Sequence, residues 1–204
     1  MAKAPSYLEE LNPKQREAVT TINGPVLVLA GPGSGKTRVL TYRIAYLMDQ
    51  GIPPYEILAL TFTNKSAKEM KARIAKVVGP KANNLWAGTF HSIFARILRV
   101  EADKLGYPTN FTIYDTDDAK NLIKTIIKDK NFNKDMYPVN AIYSRISLCK
   151  NNVITPKVYA SREDLMVQDS KAKRPHFHAI YVEYMKRCKR AGAMDFDDLL
   201  YQLL

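Results

Sequence analysis

The sequence predicts an α/β fold, a parallel sheet flanked by helices and followed by a helical block. The apolar run Val26-Leu27-Val28-Leu29 passes directly into Ala30-Gly31-Pro32-Gly33-Ser34-Gly35-Lys36-Thr37. That succession reads as a buried strand, a glycine-rich loop and a helix start. Two more apolar runs, Ile57 to Phe62 and Leu85 to Thr89, each precede an amphipathic stretch, and strand–helix alternation with short connections argues for parallel strands. After about Thr112 the pattern becomes helix after helix.

Taken in order, Asn12-Pro13 opens a first helix, with Asn as cap and Pro at the first helical position. It should reach about Thr21 and break at Gly24-Pro25. Lys36 to Gln50 carries Val39, Leu40, Ile44 and Leu47 at helical spacing, with Gly51 as the stop and Pro53-Pro54 beyond. Ile57 to Phe62 is near-continuously apolar, as a buried parallel strand requires. Ser66 to Val78 forms a helix with Met70, Ile74 and Val77 on one face, closed by Gly79-Pro80. His91 to Leu105 forms another, stopped by Gly106 and Pro108. Further helices are expected near 116–130, 138–151 and 176–191, with a loose segment between the last two. Asp115 to Asp118 marks the first of these starts with acids in its opening turn. Asp195 to Leu204 reads as an amphipathic helix without stop signal or polar tail, an ending that looks like a cut.

With 46% hydrophobic and 25% charged residues the composition is that of an ordinary soluble domain. The formal charge is +11, from 31 Lys+Arg against 20 Asp+Glu, an excess that favours polyanionic partners such as nucleic acid. The densest basic clusters, Lys171 to Arg174 and Lys186 to Arg190, read as solvated helix faces. Cys149 and Cys188 form no metal-ligand spacing, which fits a reducing, cytoplasmic setting. Met1 to Glu10 lacks a leader pattern, and no apolar run approaches the ~20 residues of a membrane helix. His176 and His178 follow Pro175 with no third ligand nearby, so a metal pair is not expected.

The glycine-rich loop carries a definite chemistry. Its glycines let successive backbone N–H groups curl into an anion nest, and the following helix aims its positive end at the same point. Lys36 is then set to reach the β- and γ-phosphates of a nucleotide, and the Thr37 hydroxyl to ligate Mg²⁺. Ala30 stands where the usual pattern has Gly, a mild departure because the conformational load falls on Gly31, Gly33 and Gly35. An ATPase of this kind also needs an apolar strand ending in acids. The acid pairs Glu9-Glu10, Asp117-Asp118, Glu163-Asp164 and Asp197-Asp198 do not follow one in this reading. The chain reads as the nucleotide cradle without the hydrolytic half.

Four ordered stretches resemble motifs of the UvrD/PcrA/Rep DNA helicases of superfamily 1. Leu11 to Val19 resembles their Q motif, Ala30 to Leu40 motif I, Leu58 to Met70 motif Ia, and Gly88-Thr89-Phe90-His91-Ser92 motif Ib. Asp195 to Leu200 looks like the family's segment upstream of its DExx box. The resemblance covers essentially the whole chain. It implies that residues 1–110 are the first part of the RecA-like P-loop domain 1A, 111–191 the helical insertion 1B, and 192–204 a return into 1A. It implies ATP and Mg²⁺ as cofactors, held by Gln15 at the adenine edge, Ala30 to Thr37 at the phosphates and Arg38 over the base. Lys36 and Thr37 would be the catalytic pair. It also implies single-stranded DNA and its junctions with duplex as partners, met by Phe62, Thr63, Asn64, Thr89, Phe90, His91 and Ser92. The second motor domains, 2A and 2B, would lie outside this chain.

Plainer roles remain open for several of these residues. Phe62 at a strand end could be core. Thr89, Ser92 and Asn64 could cap helices, and His91 alone would be a structural histidine. Two other function classes share the loop. A GTPase or small-molecule kinase would use the same cradle, and Asn64-Lys65-Ser66-Ala67 mimics a guanine-reading motif, but Ala67 stands where an Asp is needed. A non-catalytic nucleotide- or DNA-binding module is the other.

Overall fold

Asn12 caps the first helix, α1 (Pro13–Thr20), in the computed structural model, which describes residues 5–204. Its side chain accepts from the Gln15 N–H while Gln15 reaches back to the Asn12 N–H, a reciprocal capping box. The leader reading falls partly on residues 1–4, outside the described residues. α2 (Lys36–Asp49) lies against α1. The Arg43 guanidinium donates to the carbonyls of Ala18 and Thr21 at 2.7 and 2.6 Å, satisfying acceptors that the end of α1 leaves open.

Strand β1 (Leu58–Thr61), helix α3 (Asn64–Val78) and strand β2 (Trp86–Thr89) follow, then α4 (Phe90–Glu101). β1 and β2 pair in parallel, with Leu58 opposite Trp86 and Thr61 opposite Thr89. Ile44, Ile57, Ala59, Met70, Ile74, Leu85 and Ala87 pack into one core around this pair. The Thr63 hydroxyl accepts from the Ser66 N–H, so Thr63, and not Asn64, is the cap of α3. α4 ends at Glu101 and tightens into a 3₁₀ turn over Ala102–Leu105 before Gly106 takes a left-handed conformation.

The run Val26 to Leu29 corrects the sequence reading. It forms no strand, because among the described residues no strand lies beside it to complete a ladder of backbone hydrogen bonds. Leu27 and Leu29 are 84% and 87% exposed, and the less exposed Val26 and Val28, at 39% and 47%, line a cavity with Val39 and Leu40. The alternation of a strand is present without the sheet. Apolar composition signals a tendency to burial; it does not supply the neighbour.

The chain divides into two compact units, one ending at Ile93 and the other running from Phe94 to Leu204. The second contains β3 (Thr112–Tyr114), α5 (Thr116–Asp129), α6 (Val139–Asn151), α7 (Pro156–Ala160), α8 (Glu163–Lys171), α9 (Phe177–Arg190), β4 (Ala193–Asp195) and α10 (Phe196–Tyr201). The segment expected to be loose holds α7, capped by Thr155, and α8 with two acids in its first turn. β3 and β4 pair in parallel, with Tyr114 opposite Asp195. Both strands are too short to leave a period in the sequence, so neither was expected. Ile123, Ile127, Ile142, Ile146, Phe177 and Tyr181 form its main core.

A buried ion cluster ties α6 to β4 and α10. The Lys150 ammonium, with a side chain 0% exposed, sits 2.6 Å from Asp195 Oδ2 and 2.7 Å from Asp198 Oδ1. Tyr184 donates its hydroxyl to Asp195 Oδ2 at 2.7 Å. Asp195 and Asp198 also form the capping box of α10. The acid pair Asp197-Asp198 therefore does follow a short buried strand, contrary to the sequence reading. Asp195 and Asp198 are nevertheless committed to Lys150, and no group of three or more metal-ligating side chains occurs among the described residues. No helix among them is long and apolar enough to cross a membrane.

Candidate nucleotide and single-strand site

The loop from Ala30 to Gly35 owes its shape to two glycines. Gly33 and Gly35 have φ of +76° and +82°, the left-handed region that disfavours any residue with a Cβ. Gly31 takes no such conformation and has open space around it, so the load expected on three glycines falls on two. Gly35 is also the N-cap of α2 and offers no side-chain acceptor. The first N–H groups of α2 are thus left for an external anion, in line with the positive end of the helix.

Around this nest the side chains are arranged for a polyanion. Gly33 to Arg38 line a cavity of about 550 Å³ together with Asn12, Gln15 and Arg73, within the usual range for small-molecule sites. Among the described residues no acidic side chain lines it. Lys36 is exposed and rests its ammonium on the carbonyls of Ala30 and Gly31, at 3.1 and 2.7 Å. The exposed Thr37 hydroxyl has no hydrogen-bond partner among the described residues, so it fits an incoming Mg²⁺. Ala30 and Gly31 line the neighbouring apolar cavity of about 470 Å³, shared with Val26, Val28 and Val39. Pro32 lines neither.

Gln15 is held from both ends. Its Oε1 accepts from Asn12 N at 3.1 Å and its Nε2 donates to Ser34 O at 3.0 Å. A primary amide has two N–H groups and two lone pairs, so one donor and one acceptor remain free to meet a base edge. A Cβ at Gly35 would lie 2.9 Å from Gln15 Nε2. Gly35→Ala should therefore displace Gln15 as well as strain the loop by about 1–2 kcal/mol. Weaker ATP binding with a modest loss in urea stability is expected; parent-like ATP affinity would refute the packing argument.

The second set of predicted residues converges at the C-terminal ends of β1 and β2. Because Thr61 pairs with Thr89, the next residues, Phe62 and Phe90, fall side by side, their ring centroids 5.3 Å apart at 36°. Phe62 is 87% exposed, which excludes a core role. Asn64, His91 and Ser92 are exposed beside it. Thr63 is engaged with Ser66, and Thr89 is buried with its hydroxyl accepting from Ser92 N at 3.2 Å. Ser92 returns its hydroxyl to Thr89 O at 2.9 Å. The two threonines thus serve as caps that fix the edge.

Arg73 was not anticipated. α3 carries five basic residues, and nothing in their spacing singles out the one that reaches the loop. The basic clusters are less available than they read. Arg187 pairs with Glu183 and Asp129, both at 2.8 Å, and Lys189 lies over the Tyr107 ring at 3.6 Å. His176 stacks on Phe132, and His178 meets the Pro156 carbonyl at 2.9 Å.

The family described as UvrD/REP helicase N-terminal domain matches residues 11–204. The chain is similar to the ATP-dependent DNA helicase PcrA of Staphylococcus epidermidis, 44% identical over 201 residues, covering 96% of this chain and 26% of the relative. The protein of the same description from Bacillus subtilis is 44% identical over 198 residues, covering 95% and 25%. That from Staphylococcus aureus is 43% identical over 201 residues, covering 96% and 26%. The chain spans about a quarter of the length of these relatives.

Proposed function

The chain belongs to the UvrD/REP helicase N-terminal domain family, and from that premise we propose that it forms the ATP- and single-strand-binding part of an ATP-dependent DNA helicase. The observation that carries the reading is the presence, in one compact unit, of an uncapped helix N-terminus behind a glycine nest and an exposed aromatic edge at the ends of parallel strands. Ligands of open α/β sheets gather on that side. Residues 1–110 are read as the first part of the RecA-like domain 1A, 111–191 as the helical insertion 1B and 192–204 as a return into 1A, in a protein of the cytoplasm serving replication or repair.

In this reading the α2 N–H groups and Lys36 neutralise the phosphates, Gln15 meets the adenine edge and the Arg38 guanidinium covers the base. Mg²⁺, ligated by Thr37, would supply charge neutralisation between the phosphates. Phe62 and Phe90 offer a stacking platform to bases of single-stranded DNA or of a junction, while Asn64, His91 and Ser92 meet the backbone. Hydrolysis and stepping belong to the whole helicase with its 2A and 2B domains. A guanine-reading alternative is disfavoured because Ala67 is 8% exposed within α3 and cannot hold a base.

The purified chain should therefore bind ATP and oligothymidylate weakly, with affinity for DNA falling steeply as salt rises, and turn over ATP negligibly. Each missing charge-stabilising element is worth ~10³ or more in rate. Phe62→Ala should cost about 1–3 kcal/mol of DNA binding. A Lys186→Gln/Arg190→Gln variant, altering exposed cations of α9 that make no ion pair within 4 Å among the described residues, should cost less. Parent-like DNA binding by Phe62→Ala, or ATP turnover at helicase rates abolished by Lys36→Ala, would overturn the reading.

A further inference from the structure

We infer that the helical unit carries a binding site for a small carboxylate with an apolar body, in the cavity lined by α6, α8 and the start of α9. The cavity, of about 270 Å³, lies within the second unit and shares no residue with the nucleotide site or the aromatic edge. Ile142 and Phe177, both buried, give it an apolar wall, while Arg145, Gln168, Asp169 and Arg174 supply polar groups. A few polar groups converging on an apolar wall is the usual make-up of a small-ligand site. The two guanidinium groups are each only partly used. Arg145 Nη2 donates to the Tyr159 hydroxyl at 3.2 Å and lies 3.4 Å from Asp169 Oδ1. Arg145 Nε is buried without a partner, and Nη1 makes no hydrogen bond among the described residues. A charged group buried with donors unpaired is costly, so Arg145 is under-satisfied where it stands. Asp169 gives it little more, because its Oδ2 accepts from the Tyr159 hydroxyl.

Arg174 is brought to the same cavity by the turn that closes α8. Lys173 takes a φ of +59°, and the Arg174 N–H donates to Asp169 O at 2.7 Å. A residue with a Cβ holds that conformation only when its surroundings impose it. Arg174 spends Nε on the Met136 carbonyl at 3.2 Å, and its two terminal nitrogens make no hydrogen bond or ion pair among the described residues. Two planar forks with unused donors therefore border one cavity, and a planar carboxylate is the anion that matches a fork through both its oxygens. Two cations against the single carboxylate of Asp169 suit a monoanion, whereas a phosphate dianion would meet that buried charge at close range. The volume is below the usual range for drug-sized ligands, so the ligand is small. Its body gains by leaving water for Ile142 and Phe177. Such a group is either a free aromatic acid or the chain end of a peptide whose last residue is aromatic.

The test follows amide chemical shifts while benzoate, benzamide, inorganic phosphate or the peptide Gly-Gly-Phe with a free carboxyl end is titrated into the chain. Benzoate should give saturable shifts around Ile142, Gln168 and Phe177. Benzamide, of the same shape without the charge, should bind about tenfold more weakly or worse. Arg174→Gln should weaken benzoate about five- to tenfold, and Arg145→Lys, which keeps the charge and loses the fork, should do the same. Thermal unfolding of Arg174→Gln should match the parent, which separates lost binding from lost structure should Arg145→Lys unfold early. Tighter binding of benzoate than of the peptide would assign the site to a free acid, and the reverse to a chain end. The inference is wrong if benzoate gives no saturable shift at these residues, or if benzamide or Arg174→Gln leaves the affinity unchanged. It is equally wrong if inorganic phosphate or oligothymidylate takes the same residues more tightly than benzoate does.

Discussion

Replacing Lys150 with alanine is expected to lower the unfolding free energy by about 3–5 kcal/mol, a large fraction of the stability of a domain this size. Lys150 is 0% exposed at its side chain and is flanked by Asp195 and Asp198 at 2.6 and 2.7 Å. Burial alone would depress the Lys150 ammonium, but the two carboxylates outweigh it and hold its pKa above the ordinary lysine value. Removing the ammonium leaves two carboxylates facing one another in the core. Lys150→Met with Asp198→Asn should recover part of the loss, since one of the stranded charges is gone. Urea unfolding at pH 7 measures both; parent-like stability of Lys150→Ala would show that the cluster contributes nothing.

The two acids of that cluster respond to pH in opposite senses. Burial pushes Asp198 up to about 6, against the pull of Lys150 and with the repulsion of Asp195 added. Asp195 is also raised by burial, but Lys150 and the Tyr184 hydroxyl bring it below the usual carboxylate value. Between pH 6 and about 4 the folded chain binds a proton at Asp198 that the unfolded chain does not, so this group adds stability as pH falls through that window. Asp195 contributes above its unfolded value of about 3.9, and that contribution is lost as pH falls toward its folded value. Lys150 contributes below about 10.4 and loses its contribution as pH rises through its folded value. Asp198→Asn should therefore cost less than Asp195→Asn at pH 7 and should remove the gain between pH 6 and 4.

Lys36→Ala is expected to weaken ATP about 10- to 100-fold, from the loss of a charged hydrogen bond to phosphate worth about 1.5–3 kcal/mol. Its stability should be that of the parent within about 0.5 kcal/mol. Lys36 is exposed and, among the described residues, bonds only to the carbonyls of Ala30 and Gly31, so no buried group among them depends on it. A matching loss of stability would mean that Lys36 props the loop instead of binding phosphate.

Much of this molecule is legible in its sequence, for reasons that differ by element. α1 and α2 carry their caps and stops in adjacent residues, and the ends of β1 and β2 follow from uninterrupted apolar runs. The glycine loop announces itself because its conformation demands particular residues at Gly33 and Gly35. What escaped depends on distant partners. Val26 to Leu29 has a strand's composition but no neighbouring strand among the described residues, and β3 and β4 exist only because they find each other across 78 residues and more of chain. The same holds at the site. Arg73 looks like any other cation of α3 until packing against α2 brings it to the loop, and Lys150 looks like a surface lysine until Asp195 and Asp198 close on it.

The central claim is that ATP is held by the glycine nest and the start of α2. Amide hydrogen exchange of the chain with and without Mg²⁺ and ATP tests it most directly. The account predicts slowed exchange at residues 33–38, smaller slowing around Gln15, and no change in α6 or α9, all lost in Lys36→Ala. Undiminished exchange at 33–38 under saturating ATP, or protection that persists in Lys36→Ala, would contradict it.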